Sequence, residues 1–217
     1  MSVSKYGKHM YKRPERQVMP GLFIGNIRDA KDTGQLSEHN ITHILAIHDD
    51  ARPLIETLIY KCIDAADSPG QNIADYFHDS IVFIHNARKD GGNVLVHCIA
   101  GVSRSCTICA AYIVTVANIG WSEAISVVRS ARSIVNPNYG FQKQLQTFHD
   151  VESEKVRRAL TNQYGEFDPA DIQFIKDVVA NLDQTDKSAT IDVNLALGAT
   201  PTFGNYERKK NNRTESS

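Results

Sequence analysis

Apolar positions along the first three quarters of the chain alternate between short solid runs and longer stripes with a helical period. Residues 22–25, 41–47 and 58–63 are apolar runs of strand length and are expected to be β-strands. Over residues 72–88 the period changes. Ile73, Phe77, Ile81 and the pair Phe83-Ile84 recur at helical spacing behind Asn72, a capping residue type, which predicts a helix. Gly91-Gly92 ends it. Val94, Leu95 and Val96 are apolar without alternation, as expected of a central strand covered on both faces, and a helical stretch over 104–119 follows. Two further helices, 122–133 and 141 to about 163, are joined by the turn formers Asn136-Pro137-Asn138. Strands alternating with helices predict an α/β fold with a central, mostly parallel twisted sheet flanked by helices.

The two ends depart from this pattern. Residues 1–17 hold Lys5, Lys8, Lys12, Arg13 and Arg16 against the single Glu15 and read as a basic flexible arm. Residues 18–165 carry the packed domain. Residues 166–217 form a tail in which large apolar side chains thin out toward the end. One tail segment is amphipathic: Asp168-Pro169 offers an N-cap and a first-turn proline, and Ile172, Ile175, Val178-Val179 and Leu182 form one stripe. A short helix over about 169–183 is therefore expected to dock on the domain, with the remainder disordered.

Composition narrows the class of function. With 217 residues, 41% of them hydrophobic, the chain is long enough to bury a core without a disulfide or metal staple. A formal charge of −1 argues against nucleic acid as the main partner. No run approaches about 18 apolar residues and the first residues lack an apolar signal segment, so the expected location is the cytoplasm, with the nucleus as an alternative. About five basic residues without an acyl chain hold a membrane only weakly, and Ser2 is no myristoylation site, so no stable membrane anchor is expected. The cysteines, Cys62, Cys98, Cys106 and Cys109, lack the spacing of a zinc site. In a reducing compartment they read as buried thiols or a nucleophile rather than a disulfide framework.

The chemistry concentrates in Val96-His97-Cys98-Ile99-Ala100-Gly101-Val102-Ser103-Arg104-Ser105, where the buried strand meets its helix. A cysteine six residues before an arginine arises easily by chance. Requiring the preceding His, the central Gly and the following Ser brings that chance to about 10⁻⁴. The backbone N–H groups of Ile99, Ala100, Gly101, Val102 and Ser103 lie at a helix N-terminus, where they can converge on an anion. The helix dipole, these amides and a nearby guanidinium can lower a thiol pKa from about 8.5 to about 4–7, which makes Cys98 a candidate nucleophile. Arg104 can hold two oxygens of a phosphoryl group in a planar fork, which Lys cannot. Gly101 lets the loop curl tightly. Ser105 is placed to donate to the sulfur when it departs, and His97 is expected to shape the loop from behind.

Attack by sulfur leaves an alkoxide or phenolate in need of a proton. Asp64-Ala65-Ala66-Asp67-Ser68-Pro69, just beyond the third strand, offers two candidate acids. Asp67 is the stronger, because Asp64 abuts the strand and Pro69 stiffens the approach to Asp67. A solvated loop, or a cap for the helix at Asn72, is the competing reading of either aspartate.

His97-Cys98-x5-Arg104-Ser105, Asp67 upstream, and Asn136-Pro137-Asn138 followed by Gly140-Phe141 and Gln144-Leu145 resemble the protein tyrosine phosphatase superfamily, specifically a small atypical dual-specificity phosphatase. The segments Met19 to Asn26, Thr42 to Leu45 and Ala100 to Ser105 are similar to the subgroup known for stimulating the JNK pathway. Coverage runs from about residue 18 to 165. The resemblance implies a phosphocysteine at Cys98, phosphate binding by Arg104, Asp67 as acid and then base, supporting roles for His97 and Asn138, and neither metal nor organic cofactor. Phosphorylated proteins are the implied partners, with MAP-kinase pathway members as candidates, and a monomer is expected. Three features depart from the subgroup: Ser2 stands where close members begin Met-Gly, Asp64 stands where relatives often have proline, and the tail beyond residue 166 has no clear counterpart.

Two other readings compete. An inositol-lipid phosphatase commonly carries lysines in the signature loop, whereas positions 99, 100, 102 and 103 here are Ile, Ala, Val and Ser. A phosphopeptide-binding scaffold usually lacks the cysteine, arginine or acid, and all three are present. The short domain has no evident room for a loop deepening the pocket, so phosphoserine and phosphothreonine are expected beside phosphotyrosine. Cys106 and Cys109 read as packed residues, and Cys62 as a candidate disulfide partner for oxidised Cys98.

Overall fold

The unbroken apolar run at residues 94–96 lies at the centre of the sheet, where neither face meets water. A computed structural model describes residues 15–196, with side chains described through residue 184. The arm up to residue 14 and the tail after residue 196 lie outside the described residues. Strand β1 (Gln17–Met19) is followed by β2 (Leu22–Asn26), β3 (Ile41–Ile47), β4 (Ile59–Ile63) and β5 (Asn93–Cys98). Their order in the sheet is β1-β2-β5-β3-β4, with every pairing parallel except the antiparallel β1–β2 edge. Residues 16 and 17, assigned to the arm by composition, belong to the fold: β1 starts at Gln17, and the Arg16 carbonyl accepts from the Ile24 N–H at 3.0 Å.

Strand alternation sorts the side chains into two layers. Val94, Val96 and Cys98, with Ile24, Leu45, Ile47 and Ile63, face the larger core. Leu95, with Phe23 and Ile44, faces a smaller one. The larger layer is filled by α2 (Phe77–Lys89), α3 (Arg104–Ala117), α4 (Trp121–Ala131), α5 (Tyr139–Val151) and α6 (Ser153–Tyr164). Every residue of α3 is buried, which explains a helix apolar on nearly all sides. The smaller layer is covered by α1 (Thr33–Glu38) and a 3₁₀ turn at Asp29–Lys31, both too short to show a period.

Three expectations change. The helix expected from Asn72 begins as a 3₁₀ turn at Ala74–Tyr76 and becomes α-helical at Phe77. Asn72 does not cap it. The free N–H groups of Ile73 and Ala74 donate instead to Gln144 Oε1, at 2.8 and 3.0 Å, from α5. The single helix expected over 141–163 is two helices, broken at Glu152. Finally, α7 (Pro169–Ala196) runs beyond the expected end near 183. Its start follows the cap reading, since Asp168 Oδ1 accepts from the Ala170 N–H at 2.9 Å. The chain divides into two compact units after Leu182, and the site lies in the first.

Candidate active site

Parallel strands end on one edge, so the segments after β2, β3, β4 and β5 collect there, and ligands bind at such edges. Cys98 is the last residue of β5 and Arg104 the first of α3, leaving five residues to turn the chain. Within that turn the Cys98 sulfur is fully buried. The Gly101 N–H donates to Sγ at 3.1 Å, and Ser105 Oγ lies 3.4 Å from it. Burial pushes the thiol pKa up, but the Ser105 hydroxyl and the amides of Ser105, Val102 and Gly101 overcome this, and the net direction is down. The environment therefore favours a thiolate.

Arg104 is 5% exposed, an unusual depth for a guanidinium. Its Nη1 donates to the Ala65 carbonyl at 2.9 Å and to Asp49 Oδ2 at 3.1 Å. Its Nε has no hydrogen-bond partner and lies 3.7 Å from Asp67 Oδ2. Asp67 is fixed by Asn138, whose Nδ2 donates to Oδ1 at 2.9 Å. Asn138 ties three parts together: its backbone N–H donates to Ser103 Oγ at 3.1 Å, and its Oδ1 accepts from the Phe141 N–H at 3.0 Å, capping α5. Below the Asp67 segment α5 makes a close approach, because a Cβ on Gly140 would lie 2.1 Å from the Pro69 carbonyl oxygen. Gln71 Oε1 accepts from the Ala66 N–H at 3.2 Å, and the Gln71 carbonyl accepts from Gln144 Nε2 at 2.9 Å. The other candidate acid, Asp64, is exposed, and its carbonyl accepts from the Tyr76 hydroxyl at 3.4 Å.

The loop is also gripped from outside. Arg132, immediately after α4, donates through Nε to the Gly101 carbonyl at 2.9 Å and through Nη2 to the Ala100 carbonyl at 3.2 Å. Its Nη1 is 3.6 Å from Asp29 Oδ2. The Ile99 carbonyl accepts from the Ile27 N–H at 3.3 Å, while the Ile99 side chain is 46% exposed at the rim. The Val102 carbonyl accepts from the Asn136 N–H at 2.9 Å. His97 is fully buried, and its Nδ1–H donates to the Cys98 carbonyl at 3.3 Å. Burial above all pulls its pKa down to about 4, so it is neutral at pH 7 and supports the loop from behind.

The residues singled out from sequence thus converge: Cys98, the loop 99–103, Arg104, Ser105, Asp67, Asn138 and His97. Asp49, Asp29, Arg132 and Gln71 escaped that reading, and Gln144, quoted there for the resemblance, had no role assigned. Asp49 alone carried a signal, lying two residues past β3 on the edge where the other segments gather. Cys62 is not placed to trap Cys98. It is in register with Ala46 and His97, so it points to the face opposite Cys98, two strand spacings or about 10 Å away, beyond the about 7 Å a disulfide spans. Cys106 and Cys109 are buried, as expected. Among the described residues no three His, Cys, Asp or Glu side chains are arranged to hold a metal ion.

Comparison with known proteins bears on this geometry. Residues 22–151 match the family model of the dual specificity phosphatase catalytic domain. Dual specificity protein phosphatase 22 of Homo sapiens is 50% identical over 164 residues, which cover 76% of this chain and 89% of the relative. The protein of the same description from Xenopus tropicalis is 53% identical over 150 residues, covering 69% and 72%. A crystal structure of DUSP15 superposes with a TM-score of 0.67 at 45% identity, covering 69% of this chain and 96% of the other. A match over most of the packed domain, centred on a thiolate cradle that the fold builds independently of the comparison, places the chain in the dual specificity phosphatase family of cysteine-dependent protein phosphatases.

Proposed function

We propose that hydrolysis runs in two steps through a phosphocysteine at Cys98, with the residue roles expected from the sequence. The observation that carries this is the Cys98 sulfur, fully buried yet met by the Gly101 N–H at 3.1 Å and the Ser105 hydroxyl at 3.4 Å. In the first step the thiolate attacks phosphorus and the bond to the leaving oxygen breaks. The inward amides and the Arg104 guanidinium balance charge on the phosphoryl oxygens. Protonated Asp67, held by Asn138 beside Arg104 Nε, gives its proton to the departing alkoxide or phenolate. In the second step Asp67, now a carboxylate, takes a proton from water as that water attacks phosphorus. The S–P bond breaks, and Ser105 donates to the sulfur as it regains its charge. Inorganic phosphate is released.

The substrates we infer are phosphotyrosine and phosphoserine or phosphothreonine on proteins, with members of MAP-kinase pathways the first class to examine. A phosphopeptide panel run on wild type and Cys98→Ser tests this. Wild type is expected to release phosphate from tyrosine and from serine or threonine peptides. Cys98→Ser is expected to bind the same peptides without turnover, and residual turnover near wild type would remove Cys98 from the mechanism. Asp67→Ala should slow an alkyl phosphate by about 10²-fold or more and a nitrophenyl phosphate far less, because a good leaving group needs little protonation. Equal losses on the two would move the acid role to another residue, with Asp64 next to test.

A further inference from the structure

We propose that Arg132, itself held by Asp29, is a positioning residue that sets the two peptide planes of the Cys98 loop whose N–H groups stabilise the sulfur as a thiolate. In a trans peptide the C=O and N–H point in opposite directions, so holding one end aims the other. The Ala100 carbonyl shares a plane with the Gly101 N–H, and the Gly101 carbonyl shares the next plane with the Val102 N–H. Arg132 holds both carbonyls, at 3.2 and 2.9 Å. On the inner side the Gly101 N–H reaches Sγ at 3.1 Å, and the Val102 amide acts with it to favour the charged form of the sulfur. Both planes are fastened outside by the guanidinium, and the Ala100–Gly101 plane is also fastened inside by the sulfur.

An ordinary extended chain could not offer this arrangement, because successive carbonyls would alternate in direction. Here Gly101 takes φ +68°, which turns successive N–H groups to one side as an anion-binding nest and leaves their carbonyls together on the other. The Gly101 carbonyl, on a buried residue, needs a partner in place of water, and the same guanidinium that supplies it also reaches the more exposed Ala100 carbonyl. The planar fork of an arginine suits that need better than a lysine does. The approach is close: a Cβ on Gly101 would lie 3.0 Å from Arg132 Nε.

The guanidinium is in turn prevented from swinging away. Arg132 and Asp29 side chains are each 10% exposed, with Nη1 and Oδ2 separated by 3.6 Å. Asp29 is fixed by the Asn26 N–H at 2.8 Å and by Arg16 Nη1 at 2.9 Å, and Arg16 also donates to Gln35 Oε1 at 3.0 Å. The groups around the sulfur come from several elements. Arg132 lies behind the loop and Arg104 starts α3, with Asp49 and Asp67 beside Arg104. Cys106 and Cys109 of α3 remain thiols because burial raises both, and His97 is neutral. Arg132 acts on Cys98 from behind the loop, and Arg129 of α4 acts on neighbouring Cys106. Arg104 is engaged by phosphate during turnover, whereas Arg132 stays fixed.

The catalytic consequence rests on Cys98 being the nucleophile, while its ionisation can be read without turnover. The experiment follows alkylation of the full chain by iodoacetamide across pH, with residue-resolved mass spectrometry, beside the pH profile of kcat/KM on an aryl phosphate. Arg132→Met is expected to raise the Cys98 midpoint by about one unit, leaving roughly tenfold less thiolate at acid pH, and to shift the acid limb of kcat/KM equally. Arg132→Lys should recover less than half of the shift, and Asp29→Asn should move the midpoint the same way by less. Exposed Cys62 in the same samples should not change. A folded Arg132→Met with an unmoved Cys98 midpoint, or an Arg132→Lys indistinguishable from wild type, would overturn the clamp. If Arg132→Met does not fold, unmoved midpoints in Arg132→Lys and Asp29→Asn overturn it equally. A shifted midpoint in a protein whose wild type turns over no phosphoester would leave the clamp standing and remove the proposed role of Cys98.

Discussion

At Gly101 two constraints meet that no residue with a side chain satisfies. The backbone takes φ +68°, and a Cβ would lie 2.6 Å from the Gly25 carbonyl oxygen, a backbone atom that cannot move alone. Gly101→Ala is therefore expected to pull the loop off β2 and turn its N–H away from the Cys98 sulfur. Left-handed backbone costs a residue with a Cβ about 1–2 kcal/mol before any clash, and loss of one aimed donor costs about 10²-fold in turnover. Urea unfolding and kcat/KM on nitrophenyl phosphate check the two effects, and a variant within twofold of wild type in turnover would contradict this account. At this scale the sequence was informative where chemistry is local. Cys98, Gly101, Arg104 and Ser105 sit within eight residues, so their spacing is itself the signal. Asp67 needed the strand before it as well as the loop after it. Asp29 and Arg132 were illegible because each is an ordinary charged residue until the fold brings them together, 103 positions apart, behind the loop.

Between elements, α7 is joined to the helix that starts the active site. Asp171, in the first turn of α7, meets Arg88 Nη2 of α2 at 2.7 Å, with both side chains largely covered. Arg88 Nη1 donates at 2.7 Å to the hydroxyl of Tyr112, a fully buried residue of α3. Ile175 is fully buried in the larger core, and the Arg157 guanidinium lies 4.8 Å from the centre of the Phe167 ring. Removing one partner of a covered ion pair strands the other, so Asp171→Ala is expected to cost about 2–3 kcal/mol. The loss should appear as a lower Tm and as new protease cleavage within residues 166–182, with Arg88 still held by Tyr112 and the Pro20 carbonyl. Unchanged cleavage would mean that apolar contacts alone dock the helix. The apolar stripe from Ile172 announced this docking, as the solid runs announced β3 and β5. What stayed hidden has physical reasons. β1 has three residues and α1 six, too few for a period to register. The bend at Glu152 lies between helices with the same apolar spacing, which a period cannot detect. Asn72 fits the local rule for a cap, yet the bonds are made by Gln144, a competitor more than 70 residues away.

For the whole molecule, buried titratable groups set the pH range in which the fold persists. The pKa of His97 is pulled from its ordinary 6.5 to about 4 by burial above all, and that of His85 to about 4 by burial and then by the charges of Arg88 and Lys89. An unfolded chain takes up these protons near pH 6.5, whereas the folded one refuses them until about pH 4. Between those values the unfolded state binds more protons, so stability rises with pH through the window and is lost as pH falls through it. Each histidine contributes on the order of 2–3 kcal/mol to that loss. Cys98, lowered in the fold, works in the same direction on acidification. Burial does the reverse to Cys106, Cys109 and Tyr112, raising all three, so the folded state keeps protons that an unfolded chain releases above about pH 9, and stability declines there as pH rises. The stability maximum is thus expected between about pH 6.5 and 9. Urea unfolding over pH 4.5–9.5 checks the curve, and His85→Gln should flatten its acid limb by removing one of the two protons. A wild-type curve level between pH 5 and 6.5 would show that these histidines are not excluded from water as described. The two sources of acid inactivation separate through Cys98→Ser: this variant loses the thiolate's share of the acid limb of the unfolding curve, whereas the larger share from proton uptake by His85 and His97 remains.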